Sequence, residues 1–101
     1  MVIYSVTVNI EDESEKDWLE WMKKVHIPQV LDSGLFQDYR LLKVLTRQED
    51  ETGQTYNIQY ECKSISDFEE YQEKHAMNIQ KEHSERYKGK FFAFRTILEK
   101  A

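Results

Sequence analysis

The run Ser66–Gly89, SDFEEYQEKHAMNIQKEHSERYKG, carries the signals of one long helix from end to end. Ser66 followed three residues later by Glu69 forms a capping box, in which each side chain satisfies a backbone N–H of the other. Asp67, Glu69 and Glu70 fill the first turn, and Arg86 and Lys88 the last, as the helix dipole favours. Gly89 supplies a residue able to take the left-handed conformation that ends a helix. Phe68, Tyr71, His75, Ile79, Glu82 or His83, and Arg86 recur at steps of three and four and so share a face. That face starts aromatic and turns polar, and the rest of the chain must provide what it packs against.

Working outward, Val2–Ile10 alternates strictly, with Val2, Tyr4, Val6, Val8 and Ile10 on one side of a strand and Ile3, Ser5, Thr7 and Asn9 on the other. After the acidic residues 11–15, with Asp12 or Ser14 as N-cap, Trp18, Trp21, Met22 and Val25 form the apolar stripe of a first helix, with His26 at its edge. Pro28 disfavours helix at Ile27 and can itself start a turn, so a kink is expected in His26-Ile27-Pro28. Residues 35–48 read as a long strand, 49–53 (EDETG) as a hairpin loop, and 54–63 as the returning strand with Tyr56, Ile58, Tyr60 and Cys62 on one face. Lys90–Glu99 is the last strand, with Phe92 and Phe94 assigned to the helix side and Phe91, Arg95 and Ile97 to the other. The order β-α-β-β-α-β is the ferredoxin-like arrangement, an α+β fold with both helices on one face of a four-stranded antiparallel sheet. The remaining sheet face, carrying Ile3, Thr7, Asn9, Asn57 and Gln59 with those last-strand residues, is too apolar for open solvent and too polar for a dry core. A homodimer joined through that face resolves the mismatch.

The chain has 101 residues, 40% of them hydrophobic and 13% aromatic, with three glycines and one proline. That suits a single domain spanning 1–101 and excludes a disordered or fibrous chain. A net charge of −5 without a basic patch argues against nucleic acid or an anionic membrane surface as partner. The single cysteine, Cys62, permits no internal disulfide. No signal-peptide pattern and no membrane-length apolar run is present, so a cytoplasmic location is the expectation.

No phosphate loop, nucleophile elbow, zincin motif or catalytic carboxylate pair occurs. His75 and His83, eight residues apart, stand roughly 12 Å apart along a helix, too far to share a metal ion. No metal and no cofactor is expected. His75, mid-stripe between Tyr71 and Ile79, is either a general base or axial ligand in a helix–sheet pocket, or a hydrogen-bonded core histidine. His26 ties the kink or joins such a pocket, and His83 is placed at the edge of the stripe, partly exposed. Trp18 lines a ligand pocket or fills core, and the aromatic wall that includes Tyr60 suits a small apolar or aromatic ligand as well as ordinary packing. Arg95 is read as an interface arginine, with anion binding inside a barrel as the alternative.

The element order together with WLEWMKKVHIPQVLDSG, YQEKHA, HSERY and FFAFRTILE resembles a small bacterial family, a domain of unknown function found especially in Bacteroidetes. The family in turn is similar to the dimeric α+β barrel superfamily, which implies ferredoxin-like protomers paired through their sheets. It brings no established activity. That superfamily includes cofactor-free monooxygenases, small isomerases and haem-degrading enzymes. In the last group an Asn on strand 1 and a His on helix 2 hold haem, aided by a Trp near the end of strand 3. Asn9 and His75 match the first two by position, whereas strand 3 here ends Tyr60-Glu61-Cys62-Lys63 with no tryptophan. The expectation is a cytoplasmic homodimer that binds a small molecule or is structural. The alternative is a monooxygenase- or isomerase-like enzyme, or a haem-binding one, with His75, Asn9, Trp18, Tyr60 and His26 as the ligand-binding candidates.

Overall fold

A computed structural model describes residues Met1–Ala101. Strands β1 (Val2–Ile10), β2 (Asp38–Lys43), β3 (Gln54–Cys62) and β4 (Phe91–Glu99) form one antiparallel sheet in the order β2-β3-β1-β4. Helix α1 is α-helical over Glu15–Trp21, passes through a π-helical turn at Met22–His26, and resumes over Ile27–Asp32. Helix α2 has the same construction: Ile65–Tyr71, a π turn at Gln72–Ala76, then Met77–Arg86. This is the ferredoxin-like α+β fold the hydrophobic patterning predicts, with the alternation of β1 and β3 setting the buried side. Val2, Tyr4, Val8, Ile10, Tyr56, Ile58, Tyr60 and Cys62 are all buried together with Trp18, Trp21, Met22, Ile27 and Val30 of α1 and Tyr71 and Ala76 of α2.

Four details differ from the sequence reading. The cap of α2 is Ser64, whose hydroxyl accepts from the Asp67 backbone N–H at 3.3 Å, so the cap lies two residues before the expected Ser66. Ile27 is helical despite Pro28. The proline ring would collide with the carbonyl four residues back in a regular helix, and the widened turn directly before it absorbs the conflict. Strand β2 covers only part of 35–48, and its last pairing with β3 is followed by a lone Val44 N–H to Thr55 carbonyl bond of 2.8 Å.

The fourth difference matters most. In the β1–β4 register Val6 opposes Arg95, Val8 opposes Ala93 and Ile10 opposes Phe91. Opposed residues of an antiparallel pair share a face, so Phe91, Ala93, Arg95 and Ile97 lie on the helix side, and Phe92, Phe94, Thr96 and Leu98 on the open side. The assignment of Phe92 and Phe94 to the core is therefore reversed. Both sides of FFAFRTILE are apolar, so alternation alone cannot choose between them. The open sheet face then displays Phe92 at 65% and Phe94 at 57% exposure, with Leu42 and Leu98 also exposed.

Candidate functional site

Small Ala93 opposite Val8, together with half-covered Val6, leaves room between the edge of the sheet and the two helices. The resulting cleft is small, with a cavity volume of about 20 Å³, room for about one water molecule. Its apolar walls are Val6, Val8, Met22, Ile58 and Ala93, and its polar lining is His26, Tyr60, Gln80, His83 and Arg95. A small apolar cavity with a few convergent polar groups is the usual form of a small-molecule site.

The histidines come from both helices. His26 ends the π turn of α1, with its ring 5.4 Å from that of His83 on α2. His83 is buried at 7% exposure, correcting its placement as a partly exposed edge residue. The signal that marks it is its spacing, four residues before the buried Tyr87. Trp18 Nε1 donates to His83 Nε2 at 2.9 Å. An indole N–H can only donate, so that nitrogen of His83 is unprotonated and a neutral ring carries its proton on Nδ1. Phe91 meets the same ring edge-on at 4.5 Å. Burial, then the charge of Arg95, lowers the His83 pKa from 6.5 to about 4. Burial, then His83 and Arg95, lowers that of His26 to about 3. Both rings are thus neutral near pH 7, and His26 Nδ1 is enclosed without a hydrogen-bond partner.

Arg95 reaches the cleft from β4. Its Nε donates to the Tyr4 hydroxyl at 3.1 Å, and Gln80 Nε2 donates to the same oxygen at 3.4 Å. Burial raises the Tyr4 pKa while the guanidinium opposes the rise. At the far end of α2, Asp17 of α1 accepts from the Tyr87 hydroxyl at 2.8 Å and from Arg86 at 3.4 Å, which fixes the two helices against each other beside the cleft.

Of the residues singled out from sequence, His26 and Tyr60 line the cleft, and Trp18 stands behind it as the partner of His83. His75 does not join them. It is half-buried rather than under the sheet and stacks on Tyr71 with ring centroids 6.2 Å apart. Asn9 lies outside as well, donating to the Thr52 carbonyl at 2.8 Å and the Thr55 hydroxyl at 3.1 Å, so that it clasps the loop between β2 and β3. No group of three or more His, Cys, Asp or Glu side chains is arranged to hold a metal ion. No helix is long and apolar enough to cross a membrane.

Over residues 1–101 the chain matches the family profile described as a domain of unknown function, DUF4286. No curated protein sequence matches it. Among solved structures it resembles an ethyl tert-butyl ether d (EthD) family protein from Bacillus halodurans, with a TM-score of 0.73 at 11% identity and all of both chains covered. A Nitrosomonas europaea protein described as an antibiotic biosynthesis monooxygenase aligns with a TM-score of 0.66 at 10% identity, covering 99% of this chain and 98% of that one. A mutant of MhuD with two manganese protoporphyrin IX molecules bound per active site aligns with a TM-score of 0.64 at 13% identity, covering 100% and 95%. At such identities the likeness is one of fold.

Proposed function

Because the chain belongs to the DUF4286 family, whose description carries no activity, we propose its function from the cleft itself: it is a small-molecule-binding protein whose site lies between helices and sheet at His26, Tyr60, Gln80, His83 and Arg95. One observation carries this reading. Two neutral imidazoles, one with an enclosed and unpartnered nitrogen, are gathered beside a guanidinium in a half-open cavity. Buried polar groups left without partners cost stability unless water or a ligand meets them.

The protein acts as a homodimer joined through the open sheet face. Exposed Phe92, Phe94, Leu42 and Leu98 support this, since a patch of that kind on a monomer is an association surface. The cytoplasm is the proposed location. A second reading, a cofactor-free isomerase- or monooxygenase-like enzyme, draws support from the same neutral imidazoles, which can accept a proton near pH 7 where an imidazolium cannot. Haem binding has less support, because the Asn9 amide is engaged by Thr52 and Thr55 and His75 faces Tyr71.

The test is native mass spectrometry of small molecules retained on purification, compared between wild type, Ala93→Phe, which fills the cleft, and His75→Ala. Retention in wild type and His75→Ala with loss in Ala93→Phe is expected. Retention in Ala93→Phe equal to wild type, or loss in His75→Ala alone, overturns the assignment of the site.

A further inference from the structure

Strand β2 closes one side of the sheet and pairs only with β3. All of its residues except Leu41 are exposed. The Val44 N–H bonds the Thr55 carbonyl, and the same register sets Leu42 against Asn57 and Arg40 against Gln59. Inward and outward backbone groups alternate along an antiparallel pair, so Tyr39, Leu41 and Lys43 turn their N–H and C=O groups away from the sheet. Beside this open edge runs a groove of about 430 Å³ between β2 and α1, which shares no residue with the histidine cleft. Its charged residues are Lys23, Arg40 and Lys43, set among Leu19, Leu41 and the rings of Tyr39 and Tyr56.

No carboxylate lines the groove, although the sequence carries 19 Asp and Glu residues against 14 Lys and Arg. The ion pairs of the protein are Lys24–Glu20, Lys43–Glu15, Lys74–Glu70, Lys81–Glu85 and Arg86–Asp17. Lys23 and Arg40 enter none of them. The acids beside the groove are already engaged. Glu15 accepts from the Tyr56 hydroxyl at 2.5 Å and from Lys43 at 3.5 Å, and Asp38 accepts from the Tyr39 N–H at 2.8 Å.

We propose that the β2 edge and its groove bind an extended acidic segment of another protein, which joins the sheet as a further strand. The outward groups of Tyr39, Leu41 and Lys43 pair with its backbone, the usual source of affinity in strand addition. Its side chains point alternately to the two sides of the sheet. Acidic ones on the helix side meet Lys23 and Lys43, and those on the other side meet Arg40, which shares its face with Gln59. A second copy of this edge is a poor occupant, because it sets three cations against three, as lysines do where they guard an edge strand from self-pairing. An acidic segment turns the same charges into attraction.

The test titrates the ¹⁵N-labelled protein at pH 7 with an end-blocked peptide of alternating glutamate and valine, and with its lysine–valine counterpart. The glutamate peptide is expected to shift the backbone amides of Tyr39, Leu41 and Lys43 and to bind at least about tenfold tighter than the lysine peptide. Salt at about 0.5 M should weaken it, since exposed charges are then screened. Lys23→Glu, at an exposed residue outside every ion pair, should lower the affinity about threefold or more. The glutamate peptide N-methylated on every residue should not bind, because it has no backbone N–H to donate. Equal binding of the glutamate and lysine peptides, or wild-type affinity in Lys23→Glu, overturns the recognition of acidic charge. Undiminished binding of the N-methylated peptide, or shifts that leave the β2 amides unmoved, overturns strand addition. Shifts of the same amides that grow with protein concentration in the absence of peptide assign the edge to a second copy and overturn the proposal as well. The peptide comparison on the wild type stands even if the variant fails to fold, and none of these outcomes bears on the cleft at His26 and His83.

Discussion

Trp18 and His83 form a buried donor–acceptor pair that joins the two helices under the sheet. Trp18→Phe keeps most of the bulk but leaves Nε2 of His83 unpaired, so a loss of about 1–3 kcal/mol in urea unfolding is expected; a change under about 0.5 kcal/mol would deny the bond. The two cleft histidines also make stability depend on pH. In the unfolded chain each titrates near 6.5, whereas in the fold burial holds them near 3 and 4. Below pH 6.5 the unfolded chain thus binds more protons, so stability is full above that pH and is lost as it falls toward 4 and then 3. The slope approaches about 1.4 kcal/mol per pH unit for each histidine. Urea midpoints that stay level from pH 7 to 5 would contradict this, and His83→Gln should remove its share of the fall. Little of this was legible in sequence. A histidine at helical spacing is the same letter whether its ring meets a tryptophan or water, and Trp18 is 65 positions from His83.

At the scale of elements, the strands β1, β3 and β4 were legible almost to the residue because strict alternation has a single solution in a half-buried sheet. The facing of β4 was not, since both of its sides are apolar and only pairing with β1 decides the register. Arg95 and Ala93 were thereby placed away from the site they line. The π turns of both helices also escaped. One is explained by Pro28, but Gln72–Ala76 contains no residue that demands it. The loop before β3 offers a sharper test. Gly53 has φ +74, and an added Cβ would lie 2.6 Å from both Asn9 Oδ1 and the Ile10 carbonyl. Gly89 has φ +75 and open space around it. Gly53→Ala should accordingly cost more than the roughly 1 kcal/mol expected of Gly89→Ala from backbone conformation alone. Equal losses in thermal or urea unfolding would mean that the clasp of Asn9 on this loop is loose.

For the molecule as a whole, the sheet divides two tasks: one face and the helices build the cleft, and the other carries the proposed association surface. Because Phe92 and Phe94 lie on that outer face, the wild type is expected at twice the 12.2 kDa monomer mass by light scattering, and Phe94→Asp as a folded monomer. A wild-type monomer at micromolar concentration would remove the dimer. Cys62, buried in the core with its thiol bonded to backbone carbonyls at 3.6 and 3.4 Å, should react slowly with a thiol reagent in native buffer and rapidly in denaturant. Above all, the proposed chemistry of this fold resides in the cleft between His26, His83 and Arg95 rather than at His75. A fragment set of small organic acids and neutral aromatics, mapped onto the amide and imidazole signals of the ¹⁵N-labelled protein, decides between the two places. Binders are expected to shift Val8, His26, His83, Ala93 and Arg95 together and to leave His75 unmoved. Binders that gather at His75 and Tyr71, or that shift no cleft residue, would contradict it.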